Sequence, residues 1–253
     1  STSIKEKLAL QNTADARGVR IGVIEEFFGK SVNLSVAKTV WNSIEKLEKA
    51  GAHIEDISLP LNSKYAIPAY YLIAMAEAST NLAKYCGIRY GLQNELKGSF
   101  NEYFSKVRTE GFGEEVKRRV ILGTFARMSG FRDAYYLKAL KTRTLIINEY
   151  KKASQKYDVL ISPTTPMPAP KFSEIDKLSP LQHYMIDLLT VGPNVAGLPH
   201  LSVNAGLTKE KLPVGIMGIA NHLEEEKLRT WGEQIENRSI HFTLLIYDYC
   251  TCS

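Results

Sequence analysis

The residues best suited to chemistry are a few charges set in apolar surroundings. Asp187 is the only formal charge between Lys177 and Lys209, and it falls inside the apolar run YMIDLLTV at 184–191. A carboxylate placed in this way must be satisfied by specific donors or be shifted in pKa. Two roles fit it equally well. It is either a structural carboxylate that caps a buried loop or a residue with a ligand-binding role. The second feature is the pair Arg118 and Arg119, which opens a helical stretch that turns apolar on most faces from Val120 onward. On a helical wheel Arg119 falls between Val116, Gly123 and Ala126, and Arg118 falls between Leu122 and Phe125. Periodicity does not choose between the two arginines, and an ordinary surface position is the simpler reading for each.

The motifs of other common chemistries are missing. The chain has no G-x-S-x-G nucleophile elbow, no Walker A loop, no complete G-x-G-x-x-G and no H-E-x-x-H. His53, His183, His200 and His222 are far apart in sequence, so no metal site is expected. Cys250 and Cys252 are too close together to hold a metal alone, and the three cysteines make no disulfide framework, which points to a reducing compartment. With 253 residues, 44% of them hydrophobic and 23% charged, the chain has the composition of a globular domain rather than a disordered one. Its net charge of +5 is spread among 27 acidic residues, unlike the concentrated patch of a dedicated nucleic-acid binder. The densest basic run (Lys138, Lys141, Arg143, Lys151, Lys152 and Lys156) reads as the solvated face of a helix. The N-terminus lacks an apolar h-region, and no uncharged apolar run reaches the roughly 20 residues a bilayer needs. These features predict a soluble, cytoplasmic protein without membrane contact, in which the N-x-S matches at Asn33 and Asn237 arise by chance.

The elements that must position these charges alternate between strand and helix. Residues 18–23 read as a short strand. Asn33 caps a helix whose apolar positions are Val36, Val40, Ile44 and Leu47, and Gly51 ends it before a second strand at 52–58. Two strands joined by a crossover helix pair in parallel. Residues 65–156 are helical, with segments at 65–84, 100–110, 114–128 and 133–156 punctuated by glycines. A strand at 158–162 runs into the proline-rich stretch 163–170, where neither a helix nor a ladder can continue. A helix at 181–190 and strands at 201–203 and 214–219 follow. The pattern is α/β with an added helical layer at about 65–156.

Several segments occur together and in order: YAIPAYY (65–71), EASTNL (77–82), GIRYG (87–91), RTEGFGEEVKRR (108–119), DAYYLKA (133–139), SPTTP (162–166) and GLP (197–199). In this order they resemble the A subunits of the tRNA-dependent amidotransferases, a branch of the amidase signature family. The resemblance runs from the first residues to about Gln234. It implies a mixed β-sheet flanked by helices, the C-terminal portion of the amidase signature fold, over residues 1–237. Family members carry a Ser–cis-Ser–Lys triad in a glycine- and serine-rich N-terminal half. Ser1-Thr2-Ser3 resembles the segment just after that half, and no GGSS stretch occurs here. The chain is therefore expected to hold no catalytic triad residue and to be inactive alone. Residues 238–253 diverge from the family, and the apolar, β-prone stretch 239–250 is read as a non-native tail.

In the family this component releases ammonia from glutamine. A partner subunit then amidates Glu-tRNA(Gln), or Asp-tRNA(Asn), using ATP and Mg. The implied partners are glutamine, amidotransferase subunits B and C, and misacylated tRNA held mainly by the partner subunit. No cofactor is implied for this chain itself. The resemblance carries the family's glutamine contacts onto Tyr70, Arg119 and Asp187, with Tyr71 adjacent to the first of them. A guanidinium suits an α-carboxylate and a carboxylate suits an α-ammonium group. The chain departs from the family pattern at Cys86, His200, Met217 and the pair Asn204-Ala205, none of them among those three contacts. Two other readings compete. One is a different amidase signature hydrolase, which two opposite charges suit less well than they suit a zwitterion. The other is a non-catalytic module that binds partner subunits or tRNA.

Overall fold

A computed structural model describes residues 16–175 and 177–236. The divergent tail expected at 238–253 lies outside the described residues. The chain divides into two compact units, one formed by residues 1–67 with 145–253 and the other by residues 68–144.

The first unit is built on a five-stranded mixed sheet in the order β2-β1-β3-β5-β4. The strands are β1 (Arg20–Ile24), β2 (His53–Ile57), β3 (Val159–Pro163), β4 (His200–Leu207) and β5 (Pro213–Ile219). β1 pairs in parallel with β2 and β3, while β5 pairs antiparallel with both β3 and β4. The central strand β3 is buried along its whole length, and its residues (VLISP), apolar but for the buried Ser162, suit a strand covered on both faces. Helix α1 (Leu34–Lys49) makes the β1–β2 crossover. Its start is fixed by Asn33, whose Oδ1 accepts from the Ser35 N–H at 2.8 Å. At its end the Gly51 N–H donates to the Glu48 carbonyl and the Ala52 N–H to the Leu47 carbonyl, a Schellman closure. Gly51 sits at φ +96°, where a side chain would be strained. The parallel pairing, the mixed sheet and this helix with its caps agree with the sequence reading.

The elements around the sheet depart from that reading in four places. β4 extends from 200 to 207 rather than over three residues, and it carries a register shift between Asn204 and Gly206 that hides it from simple alternation. The helix expected at 181–190 ends at 186: α7 (Pro180–Ile186) is followed by a turn and then by α8 (Val191–Ala196). A further single-turn helix, α6 (Phe172–Ile175), follows the proline-rich stretch. Helix α9 (Glu225–Glu236) packs on the sheet with Leu228, Trp231 and Ile235 buried, and Trp231 lies directly over Gly218 of β5.

Helix α2 (Pro60–Asn81) starts five residues before the predicted 65. Its first turn is held by a carboxylate from far along the chain. The two Glu149 oxygens accept from the Leu61 and Asn62 N–H groups at 3.0 and 2.8 Å, which satisfies donors that a helix start leaves open. The second unit contains the rest of α2, α3 (Phe100–Gly111), α4 (Glu114–Arg127) and a π-helical turn at Asp133–Leu137 leading into α5 (Lys138–Ser154). α3 begins with a reciprocal cap between Ser99 and Glu102. These bonds hold the Glu102 carboxyl below the usual carboxylate range. α4 lies tight against α2 at Gly123, where an added Cβ would stand 1.9 Å from the Met75 carbonyl oxygen.

Candidate functional site

Tyr70 and Arg119 both belong to the second unit and stand on α2 and α4, the two helices that meet at Gly123. Arg119 is one helical turn before Gly123, and Tyr70 is just over one turn before Met75. Tyr70 is half-buried, whereas Tyr71 is 9% exposed and sits in the core. Their rings meet edge to face at 5.1 Å. Of the two adjacent tyrosines, Tyr70 is therefore the one with surface to offer a ligand.

The two arginines share one carboxylate. Arg119 Nε donates to Glu115 Oε1 at 2.9 Å, and Arg118 Nη1 pairs with Glu115 Oε2. Both side chains are over a third exposed, at 38% for Arg118 and 44% for Arg119. The helix thus presents two guanidinium groups oriented by the same acid, and the ambiguity left by their spacing persists at the level of local contacts.

Asp187 belongs to the first unit. It lies exposed at the C-terminal end of α7 rather than in a buried loop. The cause is the orientation of the apolar run around it. Leu181 and Met185 face outward at 67% and 40% exposure, and burial resumes only at Leu189 and Val191. Its main chain is firmly held: the Asp187 carbonyl accepts from the Thr190 N–H (3.0 Å), Thr190 Oγ1 (3.1 Å) and the Val191 N–H (3.1 Å).

The reading of the sequence did not single out a cavity of about 370 Å³ in the second unit, lined by Ala76, Glu77, Thr80, Asn81, Arg127 and Tyr136. A signal for it was available. Glu77 follows Tyr70 by seven residues on α2, and Arg127 follows Arg119 by eight on α4, so each extends the helix face of a candidate contact by two turns. Tyr136 lies in the π-helical turn, a feature often found at functional sites. Among the described residues no group of three or more His, Cys, Asp or Glu is placed to hold a metal ion, and no helix is long and apolar enough to cross a membrane.

The first unit is thus a mixed five-stranded α/β sheet with an exposed acid at the end of α7, and the second unit contains a tight helix pair that carries an arginine and a tyrosine. The amidase family profile matches residues 1–228, and the chain belongs to that family. Its curated relatives include the A subunit of the glutamyl-tRNA(Gln) amidotransferase of Thermoanaerobacter pseudethanolicus, 50% identical over 217 residues that make up 85% of this chain and 43% of the relative. The corresponding A subunit of Halothermothrix orenii is 46% identical over 231 residues, 90% of this chain and 48% of the relative. Among solved structures, the glutamyl-tRNA(Gln) amidotransferase A subunit from Thermotoga maritima superposes with a TM-score of 0.67 at 31% identity, covering 89% of this chain and 44% of that one. A second solved structure, described as an amidase, shares the fold at a TM-score of 0.68 and 21% identity, over 91% of this chain and 47% of that one. The chain spans about half the length of the curated relatives it matches.

Proposed function

We propose that this chain supplies the glutamine-binding half of an amidotransferase A subunit. The observation that carries the reading is the close likeness to A subunits, 46% and 50% identity over most of the chain, together with the placement of Tyr70 and Arg119 on the tight α2–α4 pair. In this reading the Arg119 guanidinium pairs with the α-carboxylate of glutamine, the Asp187 carboxylate with its α-ammonium group, and the Tyr70 hydroxyl orients the substrate. Glu115 accepts from Arg119 Nε at 2.9 Å and so orients the guanidinium.

Hydrolysis of the side-chain amide needs an activated nucleophile, which the reading assigns to the serine-bearing half of the family fold. The ammonia released serves a partner subunit that amidates misacylated tRNA with ATP and Mg in the cytoplasm. The chain alone is accordingly expected to bind glutamine without hydrolysing it. Calorimetry with glutamine tests the first point: saturable binding lost in Asp187→Asn supports the reading, and no binding by a folded chain contradicts it. Glutamate release above background, with a serine labelled by a fluorophosphonate probe, would contradict the second.

A non-catalytic interaction module is the second reading. It is favoured by one observation, the exposed aromatic cluster of Phe125 on α4, Phe131 in the turn that follows and Tyr135 in the π-helical turn, where ring centroids lie 4.5 to 6.2 Å apart.

A further inference from the structure

The turn that carries Asp187 leads directly into a buried polar contact. Gly192, the second residue of α8, is buried, and a Cβ added there would stand 2.1 Å from Asn62 Oδ1, 2.7 Å from the Tyr150 hydroxyl and 2.9 Å from Asn62 Cγ. Asn62 is 1% exposed and Tyr150 fully buried. Among the described residues, the Asn62 amide nitrogen and oxygen and the Tyr150 hydroxyl have no hydrogen-bond partner. Buried polar atoms of this kind are costly and rare, and two of them, Asn62 Oδ1 and the Tyr150 hydroxyl, converge on one glycine where the backbone comes close. Burial, aided by the neighbouring Glu149 charge, raises the Tyr150 pKa and keeps the phenol protonated.

The groups that form this contact are themselves held in place. Glu149, adjacent to Tyr150 on α5, binds the Leu61 and Asn62 N–H groups and so ties the first turn of α2 to α5. On the other side, Val191 precedes Gly192 and donates its N–H to the Asp187 carbonyl at 3.1 Å. A continuous path therefore runs from the α2–α5 junction through Gly192 and Val191 to the Asp187 main chain, all within the first unit.

We propose that Asn62, Tyr150 and Gly192 form a seat for the start of α8 that fixes the position of the Asp187 carboxylate, making them positioning residues for glutamine. This rests on Asp187 being a glutamine contact. A methyl group at 192 would displace the buried Asn62 side chain, whose Oδ1 lies 2.1 Å from where it would stand.

The test uses the polypeptide carrying both halves of the amidase domain, assembled with its partners, and follows glutamine-dependent and ammonia-dependent amidation in parallel. Gly192→Ala should raise KM for glutamine by roughly fivefold or more while the ammonia-dependent rate stays within about twofold, the pattern of a lost binding interaction. Asn62→Ala combined with Gly192→Ala removes the nearest clash, leaving the Tyr150 hydroxyl 2.7 Å from the new methyl group, and should bring KM at least halfway back to that of the parent, a coupling that contacting residues show and distant ones do not. Three results would overturn the seat: an unchanged KM in folded Gly192→Ala, a parallel fall of both reactions with melting temperature, or no rescue by the double substitution.

Amide exchange at Leu188–Val191 separates this proposal from the reading on which it rests. If Asp187→Asn leaves KM unchanged while Gly192→Ala still accelerates exchange there, the glutamine role of Asp187 fails and the seat stands as a loop anchor. Unchanged exchange in Gly192→Ala refutes the seat itself.

Discussion

Gly123→Ala probes the contact between the two helices that carry Tyr70 and Arg119. The new Cβ would lie 1.9 Å from the Met75 carbonyl oxygen, 2.4 Å from the Met75 carbonyl carbon and 2.9 Å from Ser79 Cβ. Two of these three are main-chain atoms of α2, so no rotamer change relieves the clash. The helices would have to part by more than about 1 Å before ordinary contact distances return. Overpacking of this kind costs roughly 1–3 kcal/mol, and a rigid main-chain neighbour places it at the upper end. Replacing glycine by alanine within a helix gives back about 1 kcal/mol. The net loss is therefore about 2 kcal/mol, or a melting temperature lower by roughly 4–8 °C for a chain of this length. Thermal unfolding followed by circular dichroism measures it, with Gly113→Ala as the control, since nothing lies within 4 Å of a Cβ at that helix cap. A Gly123→Ala variant as stable as the parent, or more stable, would show that α2 and α4, the helices that carry Tyr70 and Arg119, do not approach so closely.

Two further perturbations test other parts of the first unit. Asp158 feels burial, which raises its pKa, but bonds from the Arg20 main chain and guanidinium and the charge of Lys227 outweigh this and hold the carboxyl below its usual range. Because the folded pKa lies below the unfolded value of about 3.9, the stabilisation is present above that value and is lost as pH falls through the folded pKa. Asp158→Asn should remove that part of the acid-side dependence of the melting temperature, and an acid limb parallel to the parent's would contradict the assignment. Tyr150→Phe removes a buried hydroxyl without a described partner, so it should leave stability unchanged or raise it slightly. A loss above about 2 kcal/mol in denaturant unfolding would mean that the hydroxyl is satisfied after all.

The parts of the fold set by local sequence were readable from it. The helix from Asn33 to Gly51 has a capping side chain, a 3.6-residue apolar repeat and a terminal glycine, and each acts within a few residues of where it stands. The start of α2 was misplaced because its anchor, Glu149, lies 88 residues from Leu61 and leaves no local mark. The length of β4 was hidden by the irregularity at Asn204–Gly206, which breaks the two-residue alternation. Asp187 shows the limit most clearly. Its isolation among apolar residues suggested burial, yet Leu181 and Met185 point outward and leave the carboxylate at the surface. The choice between Arg118 and Arg119 came from family likeness, and the structure shows why residue pattern could not make it: the two side chains share Glu115 and differ little in exposure. Between the adjacent tyrosines, burial removes Tyr71 from the surface while Tyr70 stays half-buried, a difference that adjacent positions of one residue type do not reveal in the sequence.

The proposed roles of Arg119 and Asp187 as the contacts for the two charges of glutamine are tested most directly by comparing ammonia donors in a full-length amidotransferase A subunit that includes this chain, assembled with its partner subunits. Buried charge pairs lose roughly 2–5 kcal/mol when one partner is truncated. Groups as exposed as these are screened and lose less. Arg119→Ala or Asp187→Asn should still lower glutamine kcat/KM by at least about tenfold, equivalent to 1.4 kcal/mol. Free ammonia bypasses the glutamine site, so amidation from ammonium salts should be nearly unaffected, and Arg118→Ala should do little to either reaction. Interchangeable effects at Arg118 and Arg119, or an ammonia-dependent rate that falls in parallel, would contradict the account and leave these residues a structural role.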